Sequence, residues 1–113
     1  MRRLEYTESA EADLVGIIQT TIETTIETWG TDQATRYIDG LERVTGHLLE
    51  HPALGAIRED LVDRPRAFPY QSHVLYYRDE PERLVVLRVL HKRMDAHVHM
   101  PLSQSDPNQS PQV

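Results

Sequence analysis

Apolar residues recur at spacings of three and four along the first quarter of the chain. Ala10, Leu14, Ile17, Ile18, Ile22, Ile26 and Trp29 draw one stripe on a helix that faces a partner. Thr7 and Ser9 are available to cap its start, where Glu8, Glu11 and Asp13 complement the positive helix end. The near-duplicate TTIETTIET raises β-propensity locally, but Ile22 and Ile26 hold the helical phase. Gly30 suits a C′ position and Thr31 the cap of a second helix, whose stripe is Ala34, Tyr37, Ile38, Leu41, Val44, Leu48 and Leu49, stopped by His51 and Pro52. So short a connection predicts an antiparallel helical hairpin. Within the second helix, Gly40 and Gly46 read as tolerated surface positions rather than points of close approach.

The period then changes to two. Residues 2–7 (RRLEYT) form a short strand before the helices; after them, residues 52–66 have no clean period and read as a connection with room for one helical turn. AFPY is a brief strand that Pro69 confines to an edge or a bulge, HVLYYR is β-branched and aromatic, DEPE turns the chain, and RLVVLRVLH is the longest strand. The fold class is therefore α+β: an N-terminal strand, then an antiparallel helical hairpin packed on one face of a small antiparallel β-sheet. Strict alternation in the last strand places Val85, Leu87, Val89 and His91 on one face and Leu84, Val86, Arg88 and Leu90 on the other. Both faces are apolar through residues 84–87, as a central strand requires, and Arg88 must then meet solvent, an acid or a ligand.

With 113 residues the chain fits a single domain, assigned here to residues 1–100, and the polar Pro/Ser/Gln-rich segment 101–113 is expected to be a disordered tail. Cysteine is absent, no run nears the ~18 apolar residues of a membrane helix, and the start lacks the apolar core of a secretory signal, so a cytoplasmic protein is expected. The net charge is −6, and it is uneven: residues 1–60 hold 5 basic and 12 acidic residues, residues 61–113 hold 7 and 6. A chain whose main task is gripping phosphates is not built this way. Only Lys92 among the 12 cations is lysine, which favours planar, bidentate contacts.

No phosphate loop, HExxH, CxxC or nucleophile elbow is present. Asp95, His97 and His99 have a spacing a metal can use, but they read as solvated polar residues, and neither metal nor cofactor is expected. The segment RVLHKRMD, residues 88–95, raises the one question of chemistry. His91 with Arg93, and Arg66 with His73 and Arg78 on adjacent strands, would make a basic patch with a proton-shuttling histidine, as a ribonuclease needs. The favoured reading is structural: His91 ends a strand with a ring nitrogen satisfied by backbone or by Asp95. Phe68, Tyr70, Tyr76 and Tyr77 are mostly core and cross-strand residues rather than base-stacking platforms.

An ordered set of motifs runs along residues 1–100: Tyr6-Thr7 through Asp13-Leu14; Trp29-Gly30 with Gln33-Ala34 and Tyr37; Pro52 and Gly55; Arg66-x-Phe68-Pro69-Tyr70-x-Ser72-His73-Val74-x-Tyr76-Tyr77-Arg78; and Val89-Leu90-His91-x-Arg93-Met94-Asp95. This set resembles the ParE branch of the ParE/RelE toxin superfamily, and RVLHKRMD resembles its closing strand. The resemblance implies a toxin of a bacterial type II toxin–antitoxin pair that inhibits DNA gyrase by binding, is not itself an enzyme, and is neutralised by a ParD-like antitoxin, with operator DNA reached only through that antitoxin. The alternative is a RelE-like, ribosome-dependent mRNA interferase; an inactive, partner-binding relative is a third reading. The acidic balance and single lysine depart from the RelE branch. No catalytic residue is assigned. Partner contacts are expected at Arg64, Arg66, Phe68, Tyr70, His73, Arg78, Arg88, His91 and Arg93.

Overall fold

A computed structural model describes residues 3–24 and 29–100, with side chains at 3–19 and 33–100. Its elements in order are β1 (Arg3–Tyr6), α1 (Glu8–Thr24), α2 (Trp29–Glu50), a 3-10 turn (Pro52–Leu54), β2 (Ala56–Ile57), β3 (Arg66–Tyr70), β4 (His73–Asp79), β5 (Arg83–His91) and α3 (Ala96–His99). The expected α+β arrangement is present. One five-stranded sheet runs β1-β5-β4-β3-β2, so the longest strand is central, and its ladder with β4 continues into β3 as the expected antiparallel meander. β1 departs from the all-antiparallel expectation by lying parallel to β5, Leu4 opposite Leu84 and Tyr6 opposite Val86. That register sets Arg3 against Arg83, a repulsion offset by Glu5 and Glu80, which accept from Arg83 at 2.6 Å each.

Two further expectations are corrected. Gly30 and Thr31 do not separate the helices, because α2 already begins at Trp29; a helical glycine costs only about 1 kcal/mol, which the packing of the rest of the helix outweighs. Residues 52–66 supply the expected helical turn but also β2, a two-residue strand on Arg66 and Ala67. Pro69 lies past the end of β2, on the free edge of β3, where its missing N–H leaves no ladder bond unmade. Ile26 and the tail expected over 101–113 lie outside the described residues.

A β-bulge sets the two cores. Tyr77 pairs Val86 while the preceding Tyr76 pairs Arg88, so Leu87 is an extra residue in β5. Strict alternation therefore fails beyond it. Leu84, Val86 and Val89 pack with Leu75, Tyr77 and the helix residues Ala10, Leu41 and Leu48. Val85, Leu87 and Leu90 join Tyr76, Leu61, Ala96 and Met100 on the other face. The expected grouping of Val89 with Val85 and Leu87 is thus overturned. The second face is covered by the 58–65 segment and by α3, a helix the sequence reading left as solvated polar residues; Asp95 caps it, accepting from the His97 amide at 3.0 Å.

Past the end of β1, side chains from the start of α1 take over the exposed edge of β5. The Thr7 amide donates to Val86 O at 3.1 Å, and the Thr7 hydroxyl donates to Leu87 O at 2.8 Å while accepting from the Ala10 amide at 3.0 Å, which makes Thr7 the helix cap. One turn on, Asp13 accepts from Arg88 through two nitrogens at 2.8 and 2.9 Å and from the Val89 amide at 2.9 Å. Arg88 also donates to the His99 carbonyl, tying α3 to the same point. The two charged side chains retain 14% and 18% of their exposure, so the pair is screened little by solvent. Replacing Asp13 by Ala leaves a largely desolvated guanidinium without its carboxylate and a ladder amide without its acceptor, and we expect urea unfolding to show a loss of about 3 kcal/mol, against about 1 kcal/mol for Thr7→Ala. Equal, small losses for both would refute a special role for Asp13.

Candidate functional site

At the end of the sheet where β3 turns into β4 and β5 leaves the ladder, four rings meet. Tyr70 and His73 are paired across the two-residue turn, and His73 is paired with His91 across the β4–β5 ladder, so all three are fixed by register. Tyr37 comes down from α2. Its ring centroid lies 4.9 Å from that of Tyr70 and 5.5 Å from that of His73, and the two imidazole centroids are 5.3 Å apart at 78°. The Tyr70 hydroxyl donates to the Tyr37 carbonyl at 3.1 Å, which it reaches only because residue 40 is glycine: a β-carbon there would overlap that hydroxyl. Gly40 is therefore a point of close approach, contrary to the sequence reading, whereas Gly46 faces open space as expected.

Hydrogen bonds orient the rings. The Tyr37 hydroxyl bonds His73 Nδ1 at 2.5 Å. Burial, with the Tyr70 hydroxyl nearby, pushes the Tyr37 phenol up to about 12, so it stays protonated. His91 Nδ1 accepts from the Arg93 amide at 3.1 Å, which satisfies the expectation of a backbone partner; Asp95 instead serves α3. Burial first, then the nearby His91, holds the His73 imidazole below its ordinary value, with Asp13 opposing.

The structure gathers Tyr70, His73, His91 and Arg93 of the expected contact residues and disperses the rest. Arg66 pairs with Tyr77, four residues along the ladder from His73, roughly 13 Å away by strand rise, and donates to Gly55 O at 2.7 Å. Arg78 pairs with Glu80 at 2.6 Å at that same far end. The single patch of Arg66, His73 and Arg78 is therefore not formed. Arg88 is taken by Asp13, Phe68 packs against the helix-side core, and Arg64 is exposed in a left-handed backbone conformation, φ 45°, in the segment before β3. Tyr76 and Tyr77 are buried, as expected of core residues. Sequence reasoning missed Tyr37, which looked like one more residue of an apolar stripe, and Lys92, whose amide bonds Ser72 O at 2.9 Å and so lies beside the β3–β4 turn.

On the opposite face, His97 bridges Asp60 at 3.0 Å and Asp95 at 3.3 Å, and Asp60 is held near 2 by Arg58, chiefly through their hydrogen bonds. Among the described residues no group of three or more His, Asp or Glu side chains is placed to hold a metal ion. No helix among them is long and apolar enough to cross a membrane.

The family model described as ParE toxin of type II toxin–antitoxin system, parDE, matches residues 4–96. Toxin ParE1 of Caulobacter vibrioides is 36% identical over 72 residues, which is 64% of this chain and 74% of that protein. Toxin ParE1 of Mycobacterium tuberculosis is 35% identical over 72 residues, 63% of this chain and 74% of that one. Among solved structures, a chain of the chromosomal ParDE TA system from P. aeruginosa superposes with a TM-score of 0.66, covering 80% of this chain and 96% of that chain at 20% identity, a likeness of fold.

The depressed His73 carries a stability consequence with a definite sign. Because its folded value lies below the ordinary 6.5, the unfolded chain takes up the proton first as pH falls, so stability is full above about pH 7 and declines from 6.5 down to the folded value. Glu5, Glu80, Asp60 and Asp95, all held low by hydrogen-bonded or charged partners, contribute a separate decline only below about pH 5. Urea midpoints of His73→Gln should be flatter than those of the parent between pH 6.5 and 5; parallel curves would contradict the assignment.

Proposed function

The chain belongs to the ParE toxin family of parDE type II toxin–antitoxin systems, and from that membership we propose that it inhibits DNA gyrase by binding and trapping the enzyme's cleaved-DNA intermediate, without catalysing a reaction of its own. The observation that carries this reading is the family match over residues 4–96, which spans every element from β1 to the start of α3.

Charge supports it against the ribonuclease alternative. A protein that holds ribosomal RNA needs free cations on its surface, but here Arg3, Arg58, Arg78, Arg83 and Arg88 each face a carboxylate and Arg66 a carbonyl. The mRNA-interferase reading draws its support from one place, the His73–His91 pair beside Lys92 and Arg93. One comparison separates the two. Added to a supercoiling reaction, the purified chain should convert gyrase to trapped, cleaved DNA and leave ribosome-bound mRNA intact; cleavage of that mRNA with untouched gyrase reverses the ranking.

A ParD-like antitoxin is the proposed neutralising partner. Leu54 and Ile57 are half-exposed where the end of α2 meets the β2 edge, and among the described residues the outer edge of β3 beyond β2 is unpaired over Phe68–Tyr70. An amphipathic segment laid there would bury apolar anchors and add backbone bonds to the edge. Arg66, Arg78 and Arg88 are already engaged within the chain, so ion pairs contribute little and the affinity should fall by no more than about tenfold between 0.05 and 0.5 M NaCl. A loss of about a thousandfold over that range would mean that charge, not apolar burial, holds the antitoxin.

A further inference from the structure

Lys92 and Arg93 stand apart from the paired arginines. They are consecutive, both are exposed, and among the described residues neither side chain makes an ion pair or a hydrogen bond. Their backbone is nonetheless held: the Lys92 amide bonds Ser72 O at 2.9 Å and the Arg93 amide bonds His91 Nδ1 at 3.1 Å. Their backbone therefore sits at a fixed place beside the imidazole pair rather than in a loose loop.

Each of the neighbouring rings keeps a donor with no use in the fold among the described residues. His91 Nδ1 accepts an amide proton, so the proton of the neutral imidazole must sit on Nε2. A protonated Tyr37 donating to His73 Nδ1 sets the same tautomer there. Two Nε2–H groups on neighbouring rings cannot satisfy each other. Asp13 is the carboxylate among the described residues that acts on His73, and its oxygens are engaged by Arg88 and the Val89 amide. What complements two imidazole donors, an ammonium and a guanidinium is an oxyanion. The ring planes stand at 78°, so the two imidazoles are differently oriented. A carboxylate offers its lone pairs in one plane, whereas a phosphodiester offers oxygens in three dimensions.

We propose that His73, His91, Lys92 and Arg93 form a site for a backbone phosphodiester of a nucleic-acid strand. In a chain of net charge −6 such a contact is weak alone and gains its value inside a larger complex; that the strand is the DNA held by gyrase rests on the proposed function. The site itself is testable without gyrase. With the full chain labelled at its histidine nitrogens, dimethyl phosphate and acetate are titrated at pH 7 and constant ionic strength, followed by single-stranded DNA and RNA octamers. Dimethyl phosphate should shift the Nε2 signals of His73 and His91 saturably, with a millimolar Kd, and acetate should not. The DNA octamer should bind about tenfold tighter than dimethyl phosphate. K92A/R93A should weaken that binding about tenfold, while R36A/R43A, which removes two equally exposed cations from α2, should leave it unchanged. Acetate acting as well as dimethyl phosphate, absence of saturation, or equal losses in the two double variants would overturn the site. A preference for the RNA octamer would keep the site and turn its occupant away from gyrase. Phosphodiester binding here without gyrase trapping would likewise uphold the site while refuting the proposed target.

Discussion

Asp13 closes a hydrogen-bonding problem that the topology creates. β1 is only four residues long and β5 is nine, so the outer edge of the central strand would be bare beyond Val86. An uncovered ladder amide near a packed helix is costly, because water cannot fully replace the missing partner. α1 starts immediately after β1 and lays Thr7 and then Asp13 along that edge, so two side chains stand in for residues of the missing strand. The carboxylate does this while holding Arg88 in a two-pronged pair, and Arg88 in turn holds the end of α3. The helices of one face and the short helix of the other are thereby fastened to the same strand position.

The bulge sets more than the local pairing. An extra residue at Leu87 re-phases β5, so Leu87 and Leu90 both face the second core while Val86 and Val89 both face the first. Without it, Leu87 and Val89 would share a face and one of them would leave the core it now fills. The bulge also brings His91 onto the helix face beside His73, where Tyr37 and Tyr70 complete the ring cluster. The position of the candidate site is thus set by one inserted residue, consistent with bulges serving to re-aim side chains near functional sites.

The helices, the strands and the α+β arrangement were legible because each rests on a short-range pattern: apolar residues at three and four, β-branched runs, Pro and Gly punctuation. What was hidden required knowing partners distant in sequence. Arg88 was flagged as needing solvent, an acid or a ligand, but nothing local names Asp13, which lies 75 residues away. The bulge left no mark, since Val, Leu and Arg fit either phase of a doubly buried strand. Gly40 looked like a tolerated defect because its reason, the Tyr70 hydroxyl, arrives from β3. α3 was missed because Asp95-Ala96-His97-Val98-His99 is too short for any helical period to show.

The same separation explains the site. Sequence proximity and strand order suggested one broad basic patch, but a ladder is a ruler, and Arg66 on β3 and His73 on β4 sit at its opposite ends. At the far end from the rings, Glu80 takes up Arg78 and Arg83, and the shared Glu5 takes up Arg3 and Arg83. At the ring end, cations are left over and the histidine Nε2 donors have no protein partner among the described residues. An acidic chain can therefore keep one local region of positive potential without becoming a general nucleic-acid binder: a field that is neutralised pairwise over most of the sheet falls off within a Debye length, and what remains acts only on a partner already brought close. Recognition of that kind is selective because it is weak. It adds to a complex assembled by apolar burial elsewhere and contributes little to an encounter with free nucleic acid.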